Sequence, residues 1–275
     1  MKDKKNEYYQ SYYDEKSPYW DSIYKSEPEK LTIYATHFRQ RREILLRMVE
    51  KLPKNGDIKS LDAGCGPGAY IQPYLNMGYD VCAIDQSKGM IEKAKQNFPE
   101  KDKNRVTLKV SGIESIPFPD EVFDLVTNVA VLMYVPDELK CVEEFNRVMK
   151  KGATLIITVD NKKDLADIID IPMRFRGVLR RLFGQKETHK SKAIKQTEGV
   201  EPRCYSPKEM RRLVEKSGFV IDEETSVGFA PFLINHRRIF SDKIDIQLDK
   251  MLQFLRYIPG LRLTGYTYII RCHKP

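Results

Sequence analysis

A glycine-rich turn is the first stretch of this sequence whose residue types and spacing could do chemistry. Leu61 to Ala69 reads L-D-A-G-C-G-P-G-A, after a predicted strand and at the start of a predicted helix. Glycines at 64, 66 and 68 would let the backbone turn sharply and come close to a ligand. The spacing of Gly64, Gly66 and Ala69 also satisfies the dinucleotide fingerprint G-x-G-x-x-A. A structural turn that binds no ligand is the plainest alternative.

Two carboxylates favour a particular ligand at this turn. Asp62 would repel a pyrophosphate, which favours the positive end of a helix, but it suits a ligand with an ammonium group. Asp85 ends the second predicted strand, 21 residues after Gly64, where a carboxylate can accept hydrogen bonds from both ribose hydroxyls of an adenosine. Met90, five residues further on, could lie over the adenine or be an ordinary core methionine.

These residues stand within a repeating pattern of strand, turn and helix. Short apolar runs predict five strands, at 60–63, 80–84, 106–110, 123–128 and 153–159. Helical stretches lie between them, and 137–150 is the clearest. Alternation of this kind predicts an α/β fold with a doubly wound parallel sheet, helices on both faces, and ligands at the carboxyl ends of the strands.

The last seventy residues predict the elements that complete the sheet. Strands near 220–227 and 266–272 indicate an antiparallel edge, and a helix over 241–256 lies between them. The apolar side chains of this helix recur at helical spacing, on one side of it. They are Ile244, Leu248, Met251, Leu252 and Leu255.

Four stretches together resemble the class I S-adenosylmethionine-dependent methyltransferases, in the small-molecule branch similar to the ubiquinone and menaquinone biosynthesis methyltransferases. They are the glycine turn, the strand that ends in Asp85, S-G-I-E-S-I-P-F-P-D-E-V-F-D-L-V-T-N over 111–128, and V-P-D-E-L-K-C-V-E-E-F-N-R-V-M-K-K-G over 135–152. The resemblance covers 37–160 and 205–219. It implies S-adenosyl-L-methionine as cofactor and a Rossmann-like seven-stranded sheet, mostly parallel with an antiparallel last strand, plus an inserted helical lid.

The resemblance also implies which residues hold this cofactor. The methionine part would be bordered by Asp62, Ala63, Gly64 and Gly66, the ribose by Asp85, the adenine by Gln86, Met90, Gly112 and Ile113, and the sulfonium side by Asn128 and Val129. The sequence departs from the family at Gly112, where Asp is frequent, so the backbone of Ile113 must serve the adenine. Pro73 is a second departure, because a proline inside the first helix should shorten or kink it.

The acceptor side has fewer candidates. The stretch 132–135 carries no histidine where many relatives have one. Acidic residues and a histidine accompany a divalent metal in the ubiquinone O-methyltransferases, and this chain has Ala130, Met133 and Tyr134 there, so we predict no metal site. Tyr134 and His37 are the candidates for contacting the acceptor, with packing or surface exposure as the alternative for each.

We predict four regions: an aromatic-rich N-terminal cap over 1–36 that docks on the rest, the cofactor-binding core over 37–160, a basic lid insertion over 161–204, and a C-terminal completion of the core over 205–275 with an extra helix. Between Arg174 and Lys195 eight basic residues stand against one acid, a net +7 of the chain's +8. Residues 172–183 predict a basic amphipathic helix. It could be a lid with solvated arginines, a lid over an apolar and anionic acceptor, or a helix on an anionic membrane surface, which 172–195 would contact.

Composition narrows the class of protein. The chain has 275 residues, 41% hydrophobic and 31% charged, with no run of 18 apolar residues, which favours a cytoplasmic protein, at most peripheral to a membrane. Five dispersed cysteines suit a reducing compartment and no structural zinc.

We expect a methyltransferase acting on a small molecule. The basic segment keeps an RNA methyltransferase open, although Asn128-Val129-Ala130-Val131 replaces Asn-Pro-Pro-Tyr and disfavours nucleic acid, and a non-catalytic S-adenosylmethionine-binding module is the other alternative. The sequence carries no signal for an oligomeric state.

Overall fold

The computed structural model describes residues 2–25, 32–52, 57–165, 202–231, 233–234 and 237–275. Seven strands of these residues form one sheet: β1 Lys59–Ala63, β2 Asp80–Asp85, β3 Val106–Val110, β4 Phe123–Val129, β5 Met149–Asp160, β6 Val220–Val227 and β7 Thr267–His273. The helices are α1 Lys2–Lys25, α2 Ile33–Val49, α3 Ile71–Asn76, α4 Lys88–Lys95, α5 Glu138–Val148, α6 Pro207–Lys216 and α7 Asp242–Leu252. Single turns of 3-10 helix lie at Glu100–Arg105, Leu132–Tyr134 and Gln253–Tyr257, and Leu233–Ile234 pairs with Arg237–Arg238 in a small hairpin.

The strand order of the sheet is β3-β2-β1-β4-β5-β7-β6. Strands β1 to β5 are parallel, whereas β7 runs antiparallel to both of its neighbours. The fold class predicted from the sequence is therefore confirmed. The order reverses between β1 and β4, which pair with Asp62 opposite Thr127. A ligand cleft is expected outside the carboxyl ends of the strands at this switch point.

The expected antiparallel edge is confirmed, because β7 pairs antiparallel with β6 and the two strands end the sheet on one side. Tyr268, Ile269 and Ile270 are fully buried, so β7 is apolar on both faces and needs cover on both sides. Strand β6 is the outermost strand. Its Glu223 carboxylate lies 2.6 Å from the Lys51 ammonium on the protein surface, as suits an edge strand.

Two helices of the core follow the expectations from their sequences. Helix α5 buries one apolar face, and Asp137 caps it by accepting a hydrogen bond from the Lys140 backbone N–H at 3.1 Å. Helix α3 contains Pro73 and has only six residues. The prediction that this proline shortens the first helix of the core is confirmed.

The N-terminal aromatic region is a helix that docks on the core, as predicted. Helix α1 packs along α4, and the Tyr9 side chain is only 1% exposed. Asp14 Oδ1 accepts hydrogen bonds from the Ser87 hydroxyl at 2.6 Å and from the Gly89 N–H at 2.8 Å. A carboxylate at this place satisfies free N–H groups of the first turn of α4.

The apolar side of α7 is largely exposed. Ile244 and Met251 are 44% and 71% exposed, and the fully buried positions of the helix are Asp245 and Asp249. These two carboxylates are stabilised in the interior by partners from other elements. Arg238 forms an ion pair with Asp245, while Asp249 accepts hydrogen bonds from Gln40, Gln253 and the backbone N–H groups of Phe229 and Ala230.

The basic segment 172–195 lies outside the described residues. Its interpretation as a lid or a membrane-docking helix therefore stays a prediction, and so do the four region boundaries.

Candidate cofactor and acceptor site

The glycine turn has the close geometry that the sequence predicts. Gly64, Gly66 and Gly68 have φ values of +84°, +53° and +83°, a region that other residues enter at a cost. The N–H groups of Gly64 and Cys65 both donate to the Ile84 carbonyl, at 2.8 and 2.9 Å. At Gly64 a Cβ atom would stand 2.3 Å from a methyl group of Val131. The residue after β1 therefore has to be glycine for space as well as for φ.

Asp85 at the end of β2 holds this turn in place. Its Oδ2 accepts a hydrogen bond from the Gly66 N–H at 2.9 Å, and its Oδ1 accepts one from the Ser87 N–H at 2.9 Å. Burial raises the pKa of this carboxyl to about 6, the two N–H groups oppose that shift, and Asp14 adds to it. Each oxygen keeps a further lone pair, with which the group can accept a hydroxyl.

Asp62 lies in the interior beside the turn. Its side chain is 1% exposed, and the Thr127 hydroxyl lies 3.3 Å from Oδ1. Among the described residues Oδ2 has no hydrogen-bond partner. Burial raises the pKa of this carboxyl to about 7. An oxygen without a partner at such a place would gain most from a cationic donor.

The end of β3 supplies a residue that the sequence reasoning missed. A Cβ atom at Gly112 would stand 2.7 Å from Oε2 of Glu114. The Glu114 carboxylate thus occupies the space into which an aspartate at 112 would point. The signal in the sequence was Glu114, an acid two residues after Gly112, where the family often has aspartate. Ile113 and Met90 are both buried, at 3% exposure, while Gln86 follows Asp85 at the cleft and is half-buried.

Asn128 and Val129 end β4, next to the glycine turn. The Asn128 side chain donates to the Ala63 carbonyl at 2.8 Å and accepts from the Leu132 N–H at 3.2 Å. It therefore ties the end of β1 to the turn after β4. Ala130 follows with φ +57°, a conformation that costs a residue with a Cβ about 1–2 kcal/mol.

Tyr134 lies in a cluster of aromatic rings beyond this turn. Its ring meets those of Tyr9 and Tyr13 edge to face, each with centroids 5.6 Å apart. Burial raises the pKa of its hydroxyl well above the usual range, so the group is neutral. Helix α1 thus brings two tyrosines to Tyr134, one of the two candidates for contacting the acceptor.

Three polar residues on this side escaped the sequence reasoning. Asp160 ends β5, and its Oδ2 accepts a hydrogen bond from the Tyr266 hydroxyl at 3.1 Å. Burial raises the pKa of Asp160 to about 6, against the opposing effect of Arg41. Arg41 is 2% exposed and donates to the Tyr24 hydroxyl at 3.1 Å, and its Nε has no partner among the described residues. Asp160 could have been found from the sequence, because it is an acid at the end of a predicted strand. Arg41 could not, because a cation in an amphipathic helix is ordinarily expected on its exposed side.

His37 lies apart from the glycine turn, under the Gly228 backbone. A Cβ atom at Gly228 would stand 2.9 Å from the imidazole, and Nε2 lies 3.7 Å from Asp249 Oδ1. Burial lowers the pKa of His37 to about 4, with Asp249 opposing the shift. The imidazole is therefore neutral at physiological pH, and it extends from α2 towards Asp249 of α7. Its contact with an acceptor stays a prediction.

Two features of the described residues bear on the class of site. No group of three or more histidine, cysteine or acidic side chains in these ranges could hold a metal ion. No helix within them is both long and apolar enough to cross a membrane.

Known proteins resemble this chain in both sequence and fold. Residues 61–157 match the family described as methyltransferase domain. The chain is 32% identical over 121 residues to the ubiquinone biosynthesis O-methyltransferase of Pelagibacter ubique, a match that spans 44% of this chain and only about half (49%) of that relative. It is 24% identical over 237 residues to the demethylmenaquinone methyltransferase of a Geobacillus species, spanning 84% of this chain and 100% of the relative.

A solved structure agrees on the fold. The S-adenosylmethionine-dependent methyltransferase from Mesorhizobium loti superposes with a TM-score of 0.56 at 16% identity, over 84% of this chain and 96% of that one. At this identity the likeness speaks for the fold alone. Residues 61–157, which run from the glycine turn into β5, match a methyltransferase domain, and they lie in a seven-stranded sheet of the Rossmann-like kind.

Proposed function

We propose that this chain transfers a methyl group from S-adenosylmethionine to a small-molecule acceptor at the carboxyl edge of the sheet. The buried Asp62 carboxylate carries the proposal, because its Oδ2 lies beside the glycine turn without a partner among the described residues. A buried polar oxygen without a hydrogen-bond partner lowers the stability of the fold by about 1–3 kcal/mol. The ammonium group of the cofactor would supply the missing donor, whereas a pyrophosphate would add a like charge.

The rest of the cofactor would follow the edge of the sheet from β1 to β3. Asp85 would accept the ribose hydroxyls with the lone pairs that its two backbone hydrogen bonds leave free. Glu114, in the space beside Gly112, would accept from the adenine amino group. Met90 and Ile113 would contact the adenine faces, since both are buried at this end of the sheet.

The protein's contribution to such a reaction is mainly positioning. The cofactor would supply a methyl group on a sulfonium, which an acceptor atom attacks in line. The chain must therefore hold two molecules in register and keep water away. Val131 against Gly64 fixes the turn after β4 on the glycine turn, and Tyr13 with Tyr134 closes the acceptor side.

The walls of the acceptor side favour a mainly apolar molecule with one polar group. Aromatic rings from α1 meet Tyr134, while Asp160, Tyr266 and Arg41 supply buried polar atoms at the end of β5. The names of the relatives above, which act in ubiquinone biosynthesis or on demethylmenaquinone, favour the same class of acceptor. An anionic acceptor group would suit Arg41, and a lid over 172–183 would cover it.

Two measurements test the proposal. Adenosylmethionine and adenosylhomocysteine should raise the melting temperature, while NAD and NADP should not. Labelled adenosylmethionine with host extract should then place label in the small-molecule or lipid fraction. Label in RNA would replace the small-molecule acceptor by RNA, and binding with no turnover in any fraction would leave a cofactor-binding module.

A further inference from the structure

Helix α7 and the turns that follow it present an unusually apolar surface to solvent. Five large side chains along 244–261 are exposed, and the most exposed are the aromatic and sulfur-containing ones. They are Ile244 at 44%, Met251 at 71%, Phe254 at 55%, Tyr257 at 73% and Leu261 at 37%. Single exposed apolar residues are ordinary, but several large ones within one short segment favour an interaction site. We call residues 243–262 with these side chains the α7 face.

Most of the charges around these side chains are sorted by sign. The two acids of the α7 face, Asp245 and Asp249, are fully buried. Asp242, directly before the face, has a side chain that is 40% exposed, and it accepts a hydrogen bond from the Ile33 N–H at 2.9 Å and lies 3.0 Å from Arg238. Of the cations of the face, Lys243, Lys250 and Arg262 are exposed and Arg256 is half-buried. The outer side of the α7 face is therefore cationic and apolar.

The α7 face adjoins the acceptor side of the cleft. The Asn161 side chain, directly after Asp160, donates to the carbonyls of Leu263 and Gly265 at 2.8 and 2.9 Å. The Leu165 N–H donates to the Thr264 carbonyl at 2.6 Å. The turn that ends the α7 face is thus joined to the chain leaving β5.

We propose that the α7 face docks on the surface of an anionic lipid bilayer. Cations there would meet lipid phosphates while Met251, Phe254 and Tyr257 enter the boundary between headgroups and acyl chains. The Arg256 guanidinium lies 5.3 Å from the centre of the Tyr257 ring, so a cation and an exposed aromatic ring stand side by side. Nucleic acid or an acidic protein would use the cations but leave these apolar side chains in water, and a second copy of the face would set cations against cations.

The test uses the full chain and sedimentation with vesicles of phosphatidylcholine, alone or with about one third phosphatidylglycerol. The intact protein should bind only the anionic vesicles, and less at high salt. Lys243→Gln, Lys250→Gln and Arg262→Gln together should weaken binding about 100-fold, at about tenfold or less per cation. Met251→Ser, Phe254→Ser and Tyr257→Ser together should weaken it by a similar factor. A matched control removes three exposed cations elsewhere, with Lys95→Gln, Lys101→Gln and Lys103→Gln, and should change little.

Several results would overturn the proposal. An intact protein that ignores anionic vesicles would do so, as would equal losses in the control and the α7-face variants. Full binding in both α7-face variants would move membrane contact to another part of the chain. RNA binding lost only in the charge variant would make the face a nucleic-acid surface, and a dimer lost in the apolar variant would make it a self-association surface. Stabilisation by adenosylhomocysteine should be unchanged in every variant, so failure of this proposal and failure of the proposed methyl transfer are distinguishable.

Discussion

The buried Asp62 carboxyl makes cofactor binding depend on pH, and the magnitude follows from its pKa. Burial raises that pKa to about 7, so below pH 7 the group is mainly protonated in the free protein. A cofactor ammonium favours the ionised form and would bring the pKa back towards its ordinary range. Binding below pH 7 must therefore release a proton. From the linkage relation, the dissociation constant of adenosylhomocysteine should rise about tenfold between pH 8 and pH 6.

The sign for the unliganded protein is the opposite. A carboxyl whose folded pKa exceeds its unfolded value stabilises the fold at low pH, and that contribution is lost as pH rises through 7. Asp85 and Asp160, each with a pKa raised by burial to about 6, contribute in the same direction. Asp62→Asn isolates one group, because the amide stays neutral at every pH. The loss of unfolding free energy between pH 5 and pH 8 should be smaller in this variant than in the native protein.

Calorimetry checks the binding prediction. Titration with adenosylhomocysteine at pH 6 and pH 8, in buffers of different ionisation enthalpy, gives both the dissociation constant and the protons released. Asp62→Asn should abolish the pH dependence and bind weakly at pH 8. Asp80→Asn, an exposed carboxylate at the opposite end of the sheet, is the matched control and should behave as the native protein. Equal affinity at both pH values with no proton released would show that no ammonium meets Asp62.

Three further predictions concern the frame around the cofactor. Gly64→Ala should lower the free energy of unfolding by about 1–2 kcal/mol because of its φ and by a further 1–3 kcal/mol because of the clash with Val131. Gly66→Ala should lower it only by the first amount, since nothing lies within 4 Å of its Cβ position. Equal urea midpoints for the two variants would contradict this, and Val131→Ala should recover part of the difference. Asp85→Ala should weaken adenosylhomocysteine binding by about 1–3 kcal/mol in calorimetry, and an unchanged constant would show that the ribose lies elsewhere. Asp14→Ala should lower the urea-unfolding free energy by about 1–3 kcal/mol, since it removes two hydrogen bonds to a carboxylate; a smaller loss than for Asp80→Asn would refute the role of Asp14 as a clamp on α4.

The sequence predicts those parts of the structure that depend on local pattern. Apolar runs and glycines place β1 to β5 and the turn after β1, because strand length, periodicity and positive φ are local properties. The buried side of α7 could not be predicted from its sequence, because the buried carboxylates Asp245 and Asp249 are stabilised by distant groups. Asp249 meets Gln40 of α2, and no periodicity records that contact. The interior position of β7 and the meeting of Arg41 with Asp160 are likewise set by the order of strands rather than by any segment alone.

One helix joins the two halves of the candidate site. Asp14 of α1 binds the first turn of α4, next to Asp85, where the ribose would lie. One residue earlier, Tyr13 meets Tyr134 on the acceptor side. Because neighbouring residues of a helix are held by the same backbone, α1 cannot leave the ribose side while keeping its place on the acceptor side. The N-terminal helix therefore belongs to the candidate site, and we expect a protein lacking it to lose the contacts at Ser87 and Gly89 and those at Tyr134 together.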